Sequence, residues 1–181
     1  MLCYTERKNE KGTIIMPDIR IRPAVPEDIP LILSFIRALA EYEHMEDQVV
    51  ATEELLTDWI FKKEKAKVNL AFCDGEPAGF TLYCFNFSTF LGRAGIWLED
   101  LFVLPQYRSR GIGLSLMKTL AAEAAEGGYG RLEWSCLDWN TPSIEFYKRL
   151  GAVAMDEWTT YRLTGDELAA LAGEEMYVPD D

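Results

Sequence analysis

The sequence predicts one α/β (α+β) domain, a mixed β-sheet with helices covering both of its faces. Strand-like and helix-like segments alternate along the whole chain, with no repeat, low-complexity run or linker. Hairpin signals cluster early and β-α-β patterns late, so the sheet needs both antiparallel and parallel neighbours. Finally, 49% hydrophobic residues and five Trp in 181 residues supply a real core. The length suits one domain, on the usual range of about 100–200 residues.

The elements follow in order. Asp18-Ile-Arg-Ile-Arg22 alternates polar and apolar residues, as a half-buried strand does. Pro26 opens a helical stretch in which Ile29, Ile32, Leu33, Ile36, Leu39 and Ala40 form one stripe. A short helix follows from Thr52, which can serve as its N-cap. Val68–Phe72 and Ala78–Phe87 read as strands around Asp74-Gly75-Glu76-Pro77, where Asp-Gly is a strong hairpin signal. Ile96–Val103 is another strand. Leu114–Glu126 is a helix, with Leu114, Met117, Leu120, Ala121 and Ala124 at helical spacing and Gly127-Gly128 as its stop. Leu132–Leu137 is a strand, and Pro142 begins a helix that bears Ile144, Phe146, Tyr147 and Leu150 and ends at Gly151. Trp158–Leu163 supplies a final strand, before a short helix and an acidic tail. The domain therefore spans residues 18–172, between a loose polar extension at 1–17 and the tail at 173–181.

Eighteen Lys plus Arg against 30 Asp plus Glu give a net charge of −12, which repels a nucleic-acid partner and would draw in a small cationic one, while an acidic surface that simply keeps the protein soluble explains the charge equally well. Part of that charge is tail: residues 163–181 hold six acids and no base. Cys3, Cys73, Cys84 and Cys136 lie far apart and His44 is the single histidine, which leaves no metal site of the Cys/His type. No run approaches the ~18 apolar residues of a membrane span. The polar start lacks a signal peptide's apolar stretch, so a cytoplasmic protein with reduced thiols is expected.

The most informative stretch is Trp97–Gly113, a strand and a glycine-bearing turn followed at once by a helix. Such a turn aims several backbone N–H groups at one point, beside a helix N-terminus that favours anions. Arg108 and Arg110 add positive charge. The spacing Arg108-x-x-Gly111-x-Gly113 is neither that of dinucleotide folds nor that of P-loops. On the residues alone, a phosphate cradle and a plain tight turn both stay open. Glu99 and Asp100 also interrupt an apolar run, although acids are depleted in strands. Strict alternation sends Trp97, Glu99, Leu101 and Val103 to one face and Leu98, Asp100 and Phe102 to the other. A carboxylate held among Trp, Leu and Val has a raised pKa, as a general base requires. The alternative is a strand end near solvent, or a structural hydrogen bond to loop amides.

At these residues a resemblance becomes specific. Arg108-x-x-Gly111-x-Gly113 resembles the pyrophosphate motif of the GNAT superfamily of acyl-CoA-dependent N-acetyltransferases, and Asn140-Thr-Pro-Ser-Ile-Glu-Phe-Tyr-Lys-Arg-Leu-Gly151 its later Asn-to-helix motif. More narrowly, Ile21–Ala24, Glu41–Val49, Leu98–Val103, Tyr107–Gly113 and Asn140–Gly151 are similar to the spermidine/spermine (diamine) N-acetyltransferases. They run in order across about residues 19–163. The resemblance implies a GNAT-like, mostly antiparallel sheet with a cleft between two splayed strands. Acetyl-CoA as co-substrate would pair its pantetheine arm with the edge of Leu101, Phe102 and Val103. Its pyrophosphate would sit on the amides of Ser109, Arg110, Gly111, Ile112, Gly113 and Leu114, with Arg108 alongside. Asn140, Pro142, Ser143 and Tyr147 would border it from the later helix. Glu99 matches the family's proton acceptor, working through water, and Tyr147 its general acid. A homodimer is implied too, and Leu82–Leu91 is greasier than one half-buried strand needs.

On the amine side, Tyr42 and Glu43 match positions that contact the polyamine. The family's acidic position before the last strand is displaced here, with Asp156 and Glu157 upstream and Thr159 near the expected place. Trp134 and Trp139 read first as packing, and Trp134 is kept as a candidate substrate contact in a cation–π cage. His44 reads as a surface residue beside this segment. Acetylation of a small polyamine, diamine or lysine-like amine is the leading expectation. An amino acid, antibiotic or protein amine is the alternative within the same chemistry, and a non-catalytic acyl-CoA-binding module the alternative outside it.

Overall fold

The computed structural model describes residues 17–173, which form two compact units that meet in sequence between Ser135 and Cys136. The extension before Pro17, with Cys3, and the acidic residues after Gly173 lie outside the described residues.

The first unit is built on a five-stranded sheet whose strands stand in sequence order: β1 (Ile19–Pro23), β2 (Lys67–Cys73), β3 (Glu76–Ser88), β4 (Arg93–Val103) and β5 (Leu132–Trp134). Every neighbouring pair is antiparallel except β4 and β5. A parallel pair needs a crossover, and α3 (Ile112–Glu126) provides it. The turn between β2 and β3 is Asp74-Gly75, at φ 53° and 87°. Positive φ at both central residues is what a two-residue hairpin of the right twist requires. β4 starts three residues before the expected Ile96, because its hairpin with β3 continues to Ser88↔Arg93.

Helices cover both faces, as expected. On one lie α1 (Ile29–Glu43) and the short α2 (Glu53–Leu56), which runs on into a wider turn of π type at Thr57–Lys62. Ile29, Ile32, Phe35 and Ile60 meet Val68, Leu70, Phe80 and Phe102 of the sheet there. Phe35 and Phe80 stack with centroids 5.5 Å apart. Arg22 pairs with Asp28 at 2.6 Å, and Asp28 also accepts from the Val25 amide, so the carboxylate of Asp28 is held below its ordinary pKa and ties β1 to the start of α1. On the other face Ile112 and Leu116 of α3 pack on Ala71, Cys73 and Ala78. The far end of α3 is fixed by Glu123, which accepts from Tyr83 on β3 and pairs with Lys67 on β2 at 2.9 Å.

The second unit holds α4 (Thr141–Arg149) and α5 (Gly165–Leu171). Gly151, at φ 87°, ends α4 as expected. The expected strand at Trp158–Leu163 does not form: the sheet has five strands and this segment is not one of them. Trp158 is 73% and Tyr161 90% exposed. β-propensity expresses a fit to neighbouring strands rather than a backbone preference, so a Trp-Thr-Thr-Tyr run without a ladder stays irregular. β5 likewise ends at Trp134, three residues short of Leu137. No helix among the described residues is long and apolar enough to cross a membrane.

The core makes a direct test possible. Phe80→Ala, at a fully buried ring, is expected to cost about 3–5 kcal/mol. Urea denaturation that shows a loss below 1 kcal/mol would separate α1 from the sheet's stability.

Candidate active site

The pairing of β3 with β4 is regular except at one place. Leu82 lies opposite Asp100 and Tyr83 opposite Leu98, so Glu99 is an extra residue on β4. This one-residue bulge resets the alternation. Residues opposite one another share a face, so Leu98 joins Tyr83 on the α3 side while Asp100 joins Leu82 on the α1 side. Trp97, opposite Cys84, is also on the α1 side, and its indole N–H donates to Glu99 Oε2 at 2.8 Å. Glu99 and Asp100 therefore stand side by side, instead of on opposite faces as strict alternation required.

Their environments differ. Glu99 is exposed, so the expected burial among Trp, Leu and Val is not found. Asp100 is the partly buried one: burial first, then the charges of Glu99 and Glu43, push its pKa from 3.8 up to about 7. Glu43 reaches this cluster from the last turn of α1, and burial raises its pKa too. His44 caps that helix in the left-handed region, at φ 60°, which histidine tolerates better than most residues. Tyr42 is partly buried against the α1-side core, and the Arg108 guanidinium lies 4.6 Å from its ring centroid. Tyr42, Glu43 and Glu99 are thus brought to one face. Trp134 is not: opposite Leu98, it belongs to the α3 side, so it does not join a cage with them.

Beyond Leu98↔Trp134, β5 no longer follows β4, and among the described residues Glu99 to Val103 have no strand partner on that edge. Leu101 and Val103 point to the α3-side core and Phe102 to the α1-side core. What this segment presents sideways is its main chain. The turn that follows carries two left-handed residues, Ser109 at φ 61° and Gly111 at φ 87°. Gly111 is the N-cap of α3, with no side-chain cap. The first intrahelical bond runs from the Ser115 amide to the Gly111 carbonyl, which leaves the amides of Ile112, Gly113 and Leu114 without intrahelical acceptors. A left-handed residue before uncapped amides is the geometry an anion such as a pyrophosphate fits. The two arginines do not converge on it. Arg108 donates from Nε to the Val103 carbonyl at 3.0 Å and leans over Tyr42, whereas Arg110 lies beside Tyr107 and Cys73. The amides make the cradle, and the arginines brace its two sides.

In the second unit Asn140 is buried and caps α4, its side-chain oxygen accepting from the Ser143 amide at 3.4 Å, with Pro142 in the first turn. Tyr147 is partly buried and tilted against Phe146, centroids 5.3 Å apart. Among the described residues no group of His, Cys, Asp and Glu could hold a metal ion.

The match to known proteins falls on these same segments. The model of the acetyltransferase (GNAT) family matches residues 33–152, most of the first unit and the start of the second. The chain belongs to the GNAT acetyltransferase family. It is 37% identical over 171 residues to a thialysine N-epsilon-acetyltransferase of Bos taurus, across 88% of this chain and all of that protein. It is 31% identical over 198 residues to an L-ornithine N5-acetyltransferase of Arabidopsis thaliana, across 84% of this chain and 87% of that one. An integron cassette protein from the mobile metagenome of V. cholerae superposes with a TM-score of 0.72 at 30% identity, covering 86% of this chain and 98% of its own. This GNAT protein is accordingly an N-acetyltransferase, in a family that uses acetyl-CoA as co-substrate.

Sequence reasoning noted Asp100 and Trp97 beside Glu99 but assigned neither of them to the site. The Glu-Asp pair inside a strand was the available signal, but the bulge that unites them leaves no mark in composition or period. Asp100 also gives the site a measurable pH signature. Its folded-state pKa is raised, so its contribution to stability is present at low pH and is lost as pH rises from about 4 through about 7. Asp100→Asn is expected to raise Tm more at pH 8.5 than at pH 5, and an equal change at both would place Asp100 in water.

Proposed function

We propose that this chain transfers the acetyl group of acetyl-CoA to the terminal primary amine of a small, flexible cationic or zwitterionic compound: a diamine, a polyamine or a lysine-like amino acid. The observation that carries the reading is the union, on one strand, of an open main-chain edge at Leu101–Val103 with the adjacent carboxylates Glu99 and Asp100. The co-substrate supplies a thioester whose acetyl carbon is open to a nucleophile. The chain does the rest. Main-chain groups of Leu101 and Val103 hold an extended arm in the manner of an added strand. Amides from Ser109 to Leu114 hold the pyrophosphate, while Asn140, Pro142 and Ser143 border it by the family resemblance.

The amine arrives mostly as an ammonium, with a pKa of about 10.4 when lysine-like. Glu99 takes its proton, directly or through water. The freed lone pair forms the C–N bond as the C–S bond breaks, and the sulfur leaves with the proton of the Tyr147 hydroxyl. The second proton shed by the nitrogen restores that hydroxyl. Tyr42 and Glu43 face the distal end of the substrate, where Glu43 can pair with a second ammonium. An exposed pair of this kind contributes only about 0.2–1 kcal/mol, so selectivity among small diamines is modest. The relatives named for thialysine and ornithine favour amino acids with a side-chain amine among these substrates.

A cytoplasmic homodimer belongs to the same reading. In support, among the described residues Cys73 and Cys84 form no disulfide. Phe87 and Phe90, near the β3–β4 turn, are 62% and 96% exposed. Light scattering should then give twice 20.6 kDa, and a mass of 20.6 kDa at micromolar concentration would oppose the dimer.

Measuring CoA release over a panel of amines tests the activity. Thialysine, ornithine and short diamines should be acetylated, and bulky aminoglycosides should not. In the same assay Tyr147→Phe should lower kcat by roughly 10²–10⁴-fold with acetyl-CoA affinity nearly unchanged, and an unaltered kcat removes Tyr147 from the role of acid. Gly111→Val forces a branched residue into the left-handed region and should weaken acetyl-CoA binding about tenfold or more. Unchanged calorimetric affinity in the folded variant would move the pyrophosphate elsewhere.

A further inference from the structure

We infer that Asp100 is a second member of the proton-accepting site, a positioning residue that acts through Glu99 and keeps the amine's proton on the chain while the acetyl group moves. The inference rests on the proposed amine acetylation and deepens it.

The bulge is what makes the arrangement possible. In an unbroken strand two consecutive carboxylates would point to opposite faces. Here Asp100, opposite Leu82, and Trp97, opposite Cys84, share the α1 face, and Trp97 holds Glu99 on that face by its indole N–H. Glu99 is thereby the exposed partner that an incoming ammonium meets, and Asp100 the partly buried partner behind it. The other groups facing the pair are identifiable. Glu43 adds a negative charge from α1, and the Cys84 thiol on β3 is pushed up by burial and by Glu99. Arg108 is a cation on the same side, its guanidinium 4.6 Å from the Tyr42 ring centroid and 5.8 Å from that of Phe102.

The division of labour follows from acid strengths. Passing a proton from an ammonium of pKa about 10.4 to a fully solvated carboxylate, of pKa about 4, is uphill by about 10⁶-fold. Passing it on to a carboxylate that titrates at about 7 leaves it uphill by only about 10³-fold. The proton then leaves Asp100 for solvent after the product departs. Burial, together with the charges of Glu99 and Glu43, favours keeping the proton on Asp100.

The pH dependence of kcat/KM for 1,3-diaminopropane with acetyl-CoA tests the role, in the wild-type chain, Asp100→Asn and Glu99→Gln. Wild type should show an acidic limb with an apparent pKa of about 7. Asp100→Asn should abolish the limb and lower kcat at pH 7.5 by about 10²-fold, with calorimetric affinity for acetyl-CoA unchanged. Glu99→Gln should move the remaining limb to lower pH, because it removes the negative neighbour that holds Asp100 protonated. A readout without turnover is available from protein labelled with carbon-13 at the aspartate carboxyl. One resonance should titrate near pH 7 and be missing in Asp100→Asn. An unmoved limb in Asp100→Asn, or no aspartate that titrates near neutrality, overturns the role of Asp100 while leaving acetylation intact. Failure of wild type to acetylate any amine overturns the acetylation reading, and this role with it.

Discussion

Between Leu98 and Asp100, β4 has one residue more than β3 has to pair with it, and from that point the two faces of the sheet are reassigned. Above the bulge Ile96 and Leu98 serve the α3 side. Below it Phe102 serves the α1 side, buried in the same cluster as Phe35 and Phe80. Neither core would close if the strand kept a single alternation throughout, because Phe102 and Leu98 would then compete for one face. The bulge reconciles two well-packed layers, and its by-product is a pair of carboxylates on the side where α1 ends.

The layers in turn hold the loop between β4 and α3. Arg108 crosses from the Val103 carbonyl to the Tyr42 ring, and Arg110 turns back toward Cys73 and Tyr107, so the turn is braced against both faces. At its other end α3 is fastened through Glu123 to Tyr83 and Lys67. A helix fixed at both ends points its uncapped amides in a set direction. Charge plays a smaller part in this than the arginine-rich sequence suggests. What converges at the turn is peptide dipoles, and each arginine is engaged with a carbonyl, a ring or a thiol.

Most of this was legible in the residues. The Asp74-Gly75 turn, the stripe from Ile29 to Ala40, the Gly127 stop and the Asn140 cap are local signals, and local signals survive folding. The segments that carry the GNAT resemblance lie on the elements expected of them, so the open edge and the turn could be foreseen. What escaped was set by pairing. A bulge depends on how two strands align over many residues, and Asp100, Leu101, Phe102 and Val103 each changed face relative to Trp97 because of register. The missing strand at Trp158–Leu163 is the same lesson reversed, a sequence with β character and no ladder to complete.

The early end of β5 has a consequence of another kind. From Glu99 to Val103 an apolar strand offers its peptide groups sideways, the arrangement through which proteins zip together into aggregates. Natural sheets blunt such edges with short strands, kinks and charges set within the strand. Here the three coincide: five open residues, a bulge at their head, and two adjacent carboxylates that repel any copy laid alongside in register. These adjacent acids thus keep an open edge from being read as a template by a neighbouring chain.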